Sequence, residues 1–302
     1  MVNLPKELRQ RLEADFCLGQ GRPVKKQTSR DGTVKLLLQW ADGARTETVL
    51  ILDRRRRTVC ISSQVGCAVR CFFCASGKSG LERSLQAGEM VEQVRWAGGE
   101  LDPPERMSHV VIMGMGEPLA NYQETLKAVK IINARWGFGI GARHITLSTI
   151  GLPKQIKKLA HEPIQITLAV SLHAGDDALR QKLIPWAKDI PLKELFEALD
   201  YYYQKTHREV TLEYVLLEGV NDALEDADRL AQWARRSRCH VNLINYNRVE
   251  GCGYRAVSAK AARAFMVRLK QRAINVHLRR SRGTEIEAAC GQLQKRAGNS
   301  NG

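Results

Sequence analysis

Short β-rich runs alternate with helical stretches from about residue 58 onward, and this alternation limits the possible folds more than any other feature. The β-rich runs are Thr58–Ser62, His109–Met113, His144–Ser148, Ile166–Leu172, Val210–Leu216, Val241–Asn245 and Asn275–Leu278. The helical stretches between them are Gln86–Ala97, Tyr122–Ala134, Leu152–Ala160, Leu192–Gln204, Glu225–Arg236 and Ser258–Gln271. Such alternation predicts an α/β fold with a parallel sheet covered by helices. We expect an open, partial (β/α)6 TIM-like barrel with its chemistry at the C-terminal ends of the strands.

The N-terminal residues follow a different pattern. Apolar side chains recur every four positions at Leu4, Leu8, Leu12 and Phe16, which predicts a short amphipathic helix. Two β-rich runs flank the turn dipeptide Asp42-Gly43 and predict a hairpin of Val34–Trp40 with Thr46–Leu52. We therefore expect a helix and hairpin over residues 1–56 that pack on a catalytic domain over residues 57–296, followed by a frayed tail over residues 297–302.

The chain is basic, with a formal net charge of +15 at pH 7 and a pI near 9.6. This excess favours a polyanionic partner, most simply nucleic acid, although a basic surface kept for solubility has the same composition. The sequence shows neither a signal peptide nor a run of the roughly 18 apolar residues that a membrane span needs. With eight cysteines and no secretion signal, we expect a protein of the reducing cytoplasm.

Three of the cysteines are closely spaced. Cys67, Cys71 and Cys74 follow the pattern C-x3-C-x2-C. Iron–sulfur clusters are usually held by four cysteines, so a cluster on three has one iron with an open position for a small molecule. The alternative is a zinc site with a distant fourth ligand such as Cys60 or a histidine.

A glycine-rich turn, Met113–Leu119, follows the second predicted strand and contains the acid Glu117. Together with the cysteine triplet it resembles the radical S-adenosylmethionine (SAM) superfamily. The resemblance implies a 4Fe–4S cluster on the three cysteines, with the amino and carboxylate groups of SAM on its open iron. It also implies an electron donor such as flavodoxin or ferredoxin.

Two further segments, Cys60–Cys67 and Arg282–Leu293, closely resemble the RlmN/Cfr family of radical SAM adenosine methyltransferases, and the resemblance runs from Leu4 to Leu293. It implies SAM-binding roles for Gly116, Glu117, Ser148, Ser171, Leu172, His173 and Asn247. It implies that Cys290 carries the methyl group, that Cys60 is its disulfide partner and that Glu47 is the proton acceptor. The chain departs from the family pattern at Asn245 and Arg248, where proline is preferred, and has no counterpart of the family's N-terminal extension before Leu4.

The implied activity is methylation of carbon 2 of an adenosine in large-subunit (23S) rRNA, with transfer RNA as a further candidate substrate. That carbon is electron-poor and cannot attack SAM directly. The resemblance implies that one SAM methylates Cys290, and that a radical from a second SAM activates this methyl group to add to adenine. Proton loss and attack by Cys60 on the Cys290 sulfur then release the product. The alternatives are methylation of carbon 8 and a catalytically idle RNA-binding module stabilised by a cluster or zinc.

Basic runs border both catalytic cysteines. Arg54–Arg57 precedes Cys60, and Arg279, Arg280 and Arg282 precede Cys290, so we expect these residues to contact RNA phosphates. The remaining cysteines match no role in the family, and we expect core packing for Cys17, Cys239 and Cys252.

Overall fold

The computed structural model describes residues 4–15, 19, 21–54 and 56–294. Its strands are β1 (Arg22–Thr28), β2 (Val34–Gln39), β3 (Arg45–Asp53), β4 (Arg56–Ile61), β5 (Gln64–Gly66), β6 (Leu81–Ser84), β7 (His109–Ile112), β8 (Ile145–Thr149), β9 (Thr167–Ser171), β10 (Thr211–Leu216), β11 (His240–Asn245) and β12 (Val276–Arg279). Its α-helices are α1 (Lys6–Asp15), α2 (Ala75–Lys78), α3 (Ala87–Gly98), α4 (Tyr122–Asn133), α5 (Pro153–Leu159), α6 (Asp177–Leu183), α7 (Leu192–Thr206), α8 (Leu224–Arg236) and α9 (Ala259–Gln271). Short 3-10 turns cover Ala142–His144, Pro185–Asp189 and Thr284–Ile286.

One sheet contains ten of these strands, in the order β1-β2-β3-β4-β7-β8-β9-β10-β11-β12, while β5 and β6 pair separately. Strands β4 and β7 to β12 pair with one another in parallel, whereas β4 is antiparallel to its other neighbour, β3. They match the seven predicted strands to within two residues at each end, and the six predicted helices match equally well. The α/β prediction is therefore confirmed. The parallel strands are largely buried, as the five buried residues of six in β10 illustrate.

The helices form because their apolar residues recur at helical spacing. Tyr122, Leu126 and Val129 of α4 lie on one stripe and are all buried against the sheet. Helix α3 begins with a capping box, in which the backbone N–H of Gln86 donates to the carboxylate of Glu89 at 2.8 Å.

The predicted hairpin is also confirmed. Strands β2 and β3 are antiparallel, and β3 continues the sheet by pairing with β4, where Val49 lies opposite Cys60. Strand β1, which has no apolar alternation and was not predicted, forms the sheet edge, and its charged residues Lys25 and Lys26 suit an exposed edge strand.

Helix α1 forms where it was predicted but buries none of its residues, and Leu8 is 42% exposed. Its two leucines make too narrow an apolar stripe to pack on the sheet. The fourth apolar position, Phe16, and the predicted tail lie outside the described residues, and the domain division at residue 57 stays a prediction. No described helix is both long and apolar enough to cross a bilayer.

Candidate active site

A cavity opens at the C-terminal ends of the parallel strands, and we call it the first cavity. The predicted site residues that line it are Cys67, Cys71, Cys74, Gly116, Glu117, Ser148, Ser171, His173 and Cys290. The fold therefore brings together residues that are more than 200 positions apart in the sequence. The C-terminal ends of the strands are where the alternation of strands and helices predicted the chemistry.

The cysteine loop joins β5 to the short helix α2. It is held by a hydrogen bond from the Cys67 amide to the carbonyl oxygen of Gly80 at 3.0 Å and by one from the Cys74 amide to that of Cys71 at 3.1 Å. The next amide, that of Ala75, donates to the carbonyl oxygen of Gly291 at 2.8 Å. The loop that carries the three thiols therefore contacts the loop that carries Cys290.

The three thiols are free, and burial raises the pKa of each, to about 12 for Cys67. A thiol with such a pKa keeps its proton at neutral pH until a metal displaces it. Among the described residues, no three His, Cys, Asp or Glu side chains converge as ligands of one metal ion.

The Glu117 side chain is fixed by two backbone amides. Its carboxylate oxygens accept hydrogen bonds from Leu119 at 2.9 Å and from Ile150 at 2.8 Å, and burial raises its pKa to about 7. The preceding turn needs glycine at Gly116, because its φ is +102° and a Cβ there would lie 2.6 Å from the Cβ of Gln64. The turn thus presents a rigid acid to the first cavity.

Ser148 and Ser171 reach the first cavity from β8 and from the end of β9. His173 is buried beside them, and burial lowers its pKa to about 3. Its Nδ1 accepts a hydrogen bond from the Val215 amide at 3.1 Å, so the neutral ring carries its proton on Nε2. Leu172 is fully buried in the hydrophobic core.

A second cavity adjoins the first. Residues that line both are Met113, Ile244, Arg279 and Cys290. The second cavity is also lined by Arg54, Arg56, Cys60, Asn247, Arg280 and Arg282. Cys290 therefore faces both the cysteine triplet and an arginine-rich opening.

Cys60 and Cys290 are both free thiols, and both line the second cavity. Cys60 is 8% exposed and packs with Val49, Met115 and Ala288, whereas Cys290 is exposed. Burial first, and then the neighbouring Cys290, raise the pKa of Cys60 to about 12. Their predicted roles, methyl carrier for Cys290 and disulfide partner for Cys60, stay predictions.

Arg279 has a different position from the one we expected for a phosphate contact. Its side chain is two-thirds buried, and Nη1 lies 3.5 Å from the Glu213 carboxylate. The charges of Cys290, Glu213 and Cys60 raise its pKa against the opposing effect of burial. The sequence signal for this site was an acid, Glu213, inside an otherwise apolar strand, and it was missed.

Neither Asn247 nor Glu47 is among the described residues that line the first cavity. Asn247 lines the second cavity, where its Nδ2 donates to the carbonyl oxygen of Cys290 at 3.1 Å. Glu47 is 2% exposed and forms an ion pair with Lys35, with 2.9 Å between Oε1 and Nζ. Their predicted roles, SAM binding for Asn247 and proton removal for Glu47, stay predictions.

The arginines of the basic runs differ in their surroundings: some line the second cavity, and one is bound to an acid outside it. Arg54, Arg56 and Arg280 line the second cavity, as does Arg282, which pairs with Asp53 at 3.0 Å. Arg57 instead donates from Nε to Glu105 at 2.7 Å, and Arg55 lies outside the described residues. Of the other cysteines, Cys239 is buried as expected, Cys252 is partly buried and Cys17 is not described.

The first cavity has the donor set that a cluster and SAM would need. Three free thiols suit iron, and Glu117 and Ser148 line the same cavity as polar groups that can contact SAM.

Comparisons with known proteins agree with this site. Residues 61–233 match the Radical SAM superfamily. The chain is 47% identical over 295 residues to a "Probable dual-specificity RNA methyltransferase RlmN" of Geobacillus kaustophilus, covering 97% of this chain and 81% of the relative. It is 45% identical over 298 residues to the protein of that name from Rhodopirellula baltica, covering 99% and 80%. A solved structure of a radical SAM methyltransferase from Sphaerobacter thermophilus superposes with a TM-score of 0.95 at 44% identity, covering 98% of this chain and 87% of that one.

Fold and cavity together define a radical SAM enzyme, a class whose cofactors are a 4Fe–4S cluster and SAM. Within that class, the chain belongs to the RlmN family of RNA methyltransferases.

Proposed function

We propose that this enzyme methylates carbon 2 of an adenosine in 23S rRNA, with transfer RNA as a second candidate substrate, by way of a methylated cysteine and a covalent RNA intermediate. The observation that carries the proposal is the position of Cys290. Its thiol lies between the cavity of the three cysteines and the arginine-rich cavity, and Cys60 lines the same wall. A methyl carrier must reach both the methyl donor and the RNA, and this position allows both.

The residues of the first cavity bind the cofactors in this proposal. The thiolates of Cys67, Cys71 and Cys74 hold the cluster, and Glu117 with the Gly116 turn receives the amino group of SAM. Ser148, Ser171 and His173 contact the rest of SAM, Leu172 supports them from the core, and Asn247 contacts SAM from the second cavity or orients Cys290. When bound, the cluster and SAM supply both the methyl group and the radical that activates it.

Cys290 and Cys60 then have separate tasks. Cys290 takes a methyl group on its sulfur, and this carbon forms the bond to adenine, which links the RNA to the protein. After the ring proton has left, with Glu47 as the predicted acceptor, the Cys60 thiolate attacks the Cys290 sulfur. The sulfur–carbon bond breaks with its electron pair on the carbon, which takes up a proton, so that the methylated RNA leaves and a Cys60–Cys290 disulfide forms. The balance also requires that the methyl carbon first gives one hydrogen atom to the SAM-derived radical, and that the unpaired electron of the adduct is returned to the redox cofactor.

Arg279 supports this exchange electrostatically. Both cysteines react as thiolates, and a buried thiolate needs a cation nearby. Arg279 lies near both sulfurs and is itself held by Glu213. We assign to Arg279 the stabilisation of these thiolates, whereas phosphate contacts fall to Arg54, Arg56, Arg280 and Arg282.

The free thiols and the reducing step that the disulfide requires are consistent with a cytoplasmic enzyme that takes electrons from flavodoxin or ferredoxin. The test is to incubate the reconstituted enzyme with SAM, a reductant and either 23S rRNA or transfer RNA, and to identify modified nucleosides by mass spectrometry. We expect 2-methyladenosine, and none with Cys290→Ala. Detection of 8-methyladenosine would show that carbon 8 is methylated instead of carbon 2. RNA binding without any modification would support the idle module instead.

A further inference from the structure

The loop that carries Cys290 rests against the N-terminal hairpin. Two hydrogen bonds join the hairpin to the loop, one on each side of Cys290. Lys35 Nζ donates to the backbone carbonyl oxygen of Glu287 at 3.1 Å, and Glu47 Oε2 accepts from the backbone N–H of Gln294 at 2.9 Å. Lys35 and Glu47 are also paired with each other at 2.9 Å, and their side chains are 2% and 3% exposed.

The hairpin register puts these two residues on one face. Lys35 lies opposite Val49 and Glu47 lies opposite Leu37, so the charged pair crosses diagonally between β2 and β3. Val49, on the same face, packs in one cluster with Cys60, Ala288 and Leu293. The face that holds the ion pair is therefore the face on which the Cys290 loop lies.

A buried ion pair needs a reason, because two apolar residues of similar volume are often at least as stable there. The loop supplies one. Its irregular backbone has polar groups that need partners away from water, and the ion pair provides one donor and one acceptor for them. An apolar pair could fill the space but could not bind the loop.

The other side of the loop is bound as well. Gly291 and Leu293 accept through their carbonyl oxygens from the Ala75 amide at 2.8 Å and from Ser76 Oγ at 2.6 Å, both beside Cys74. The loop is thus fixed between the cysteine loop and the hairpin.

We propose that the buried Lys35–Glu47 ion pair is a latch that positions the Cys290 loop for methyl transfer. The inference rests on the proposed role of Cys290 as methyl carrier. Lys35 and Glu47 are positioning residues in this account, and their effect precedes any contact with RNA. This positioning role therefore differs from proton removal by Glu47, which would act only after the RNA has been attached to Cys290.

The test compares three variants in the full chain with its cluster. Lys35→Met/Glu47→Leu removes both latch bonds and leaves no unpaired buried charge. Gln294→Pro removes only the amide donor and leaves the ion pair in place. Thr48→Val is the matched control, since Thr48 is the next residue on β3 and bonds Gln93 at 2.9 Å instead of the loop.

Two readouts are measured without RNA. The first is deuterium uptake by the peptide that covers residues 287–294, which we expect to be about tenfold faster in both latch variants. The second is the single-turnover rate of Cys290 S-methylation at saturating SAM, which we expect to fall roughly tenfold or more while the affinity for SAM stays unchanged. The control should match the wild type in both.

Latch variants with wild-type uptake and wild-type Cys290 methylation would overturn the proposal. If such variants then stalled as a protein–RNA adduct, Glu47 would be assigned to proton removal. A wild-type enzyme that never methylates Cys290 would instead refute the proposed function, and the deuterium uptake would still decide whether the latch exists.

Discussion

The side-chain amide of Asn247 donates a hydrogen bond to the carbonyl oxygen of Cys290, with 3.1 Å between the two atoms. The bond fixes the backbone of Cys290 from the segment that follows β11. It also makes Asn247 part of the Cys290 site, whatever its contact with SAM.

We predict that Asn247→Ala slows methylation of Cys290 more than it weakens SAM binding. The loss of one hydrogen bond to the loop backbone corresponds to about 1 kcal/mol, or a several-fold change in the population of the productive loop. Single-turnover methylation and equilibrium binding of SAM, measured on the same preparation, check this. A large loss of SAM affinity with an unchanged methylation rate at saturation would show that Asn247 acts on SAM alone.

The second prediction concerns the metal. Anaerobic reconstitution should give about four irons per chain, because three thiolates hold a cuboidal cluster with one open iron. Replacing Cys67, Cys71 or Cys74 with Ala should remove the iron and abolish SAM cleavage. Cys239→Ala is the control, since Cys239 is buried away from both cavities and its thiol donates to the nearby carbonyl oxygen of Ser237 at 3.4 Å. One equivalent of zinc without sulfide in the wild type would contradict this account.

The third prediction separates arginines that are adjacent in the sequence. Arg54 and Arg56 line the second cavity, whereas Arg57 is bound to Glu105. Arg54→Ala and Arg56→Ala should each weaken RNA binding and lower the slope of log affinity against log salt by about 0.7–0.9, because one phosphate contact is lost. Arg57→Ala should leave the slope unchanged. Equal slopes for all four proteins, wild type included, would make the run a solvated surface.

The fourth prediction concerns the turn before Glu117. Gly116→Ala adds the cost of a positive φ, about 1–2 kcal/mol, and an overpacking cost of about 1–3 kcal/mol against Gln64. Gly43→Ala, with φ of +84° and no atom within 4 Å of the added Cβ, adds only the first. Denaturant unfolding should show the larger loss for Gly116→Ala, and only that variant should lose SAM binding. Equal losses of stability would mean that the turn yields without strain.

The sequence predicted the barrel well because its elements are defined locally. Each strand is a short apolar run with a helix after it, and Cys67, Cys71 and Cys74 lie within one loop. The segment resemblance also led to Cys60 and Cys290, which the structure brings to one cavity.

What the sequence missed depends on partners that are distant along the chain. Arg279 resembles any arginine in a basic run until the fold places Glu213 and two thiols around it. Lys35 resembles an exposed strand lysine until Glu47 and the Cys290 loop cover it. No local pattern encodes either contact, because each forms only when the strands are assembled into the sheet.

The most direct test of the central claim is the different failure of the two cysteine variants. Each is incubated with labelled RNA, SAM and a reductant and analysed on a denaturing gel. Cys60→Ala should methylate Cys290, attach the RNA and then stall, because the thiolate that displaces the sulfur is missing. A shifted protein–RNA band, with the link mapped to Cys290, is the predicted result. Cys290→Ala should carry no methyl group and form no band. Loss of activity without an adduct in both variants, or full activity of Cys60→Ala, would contradict the assigned roles.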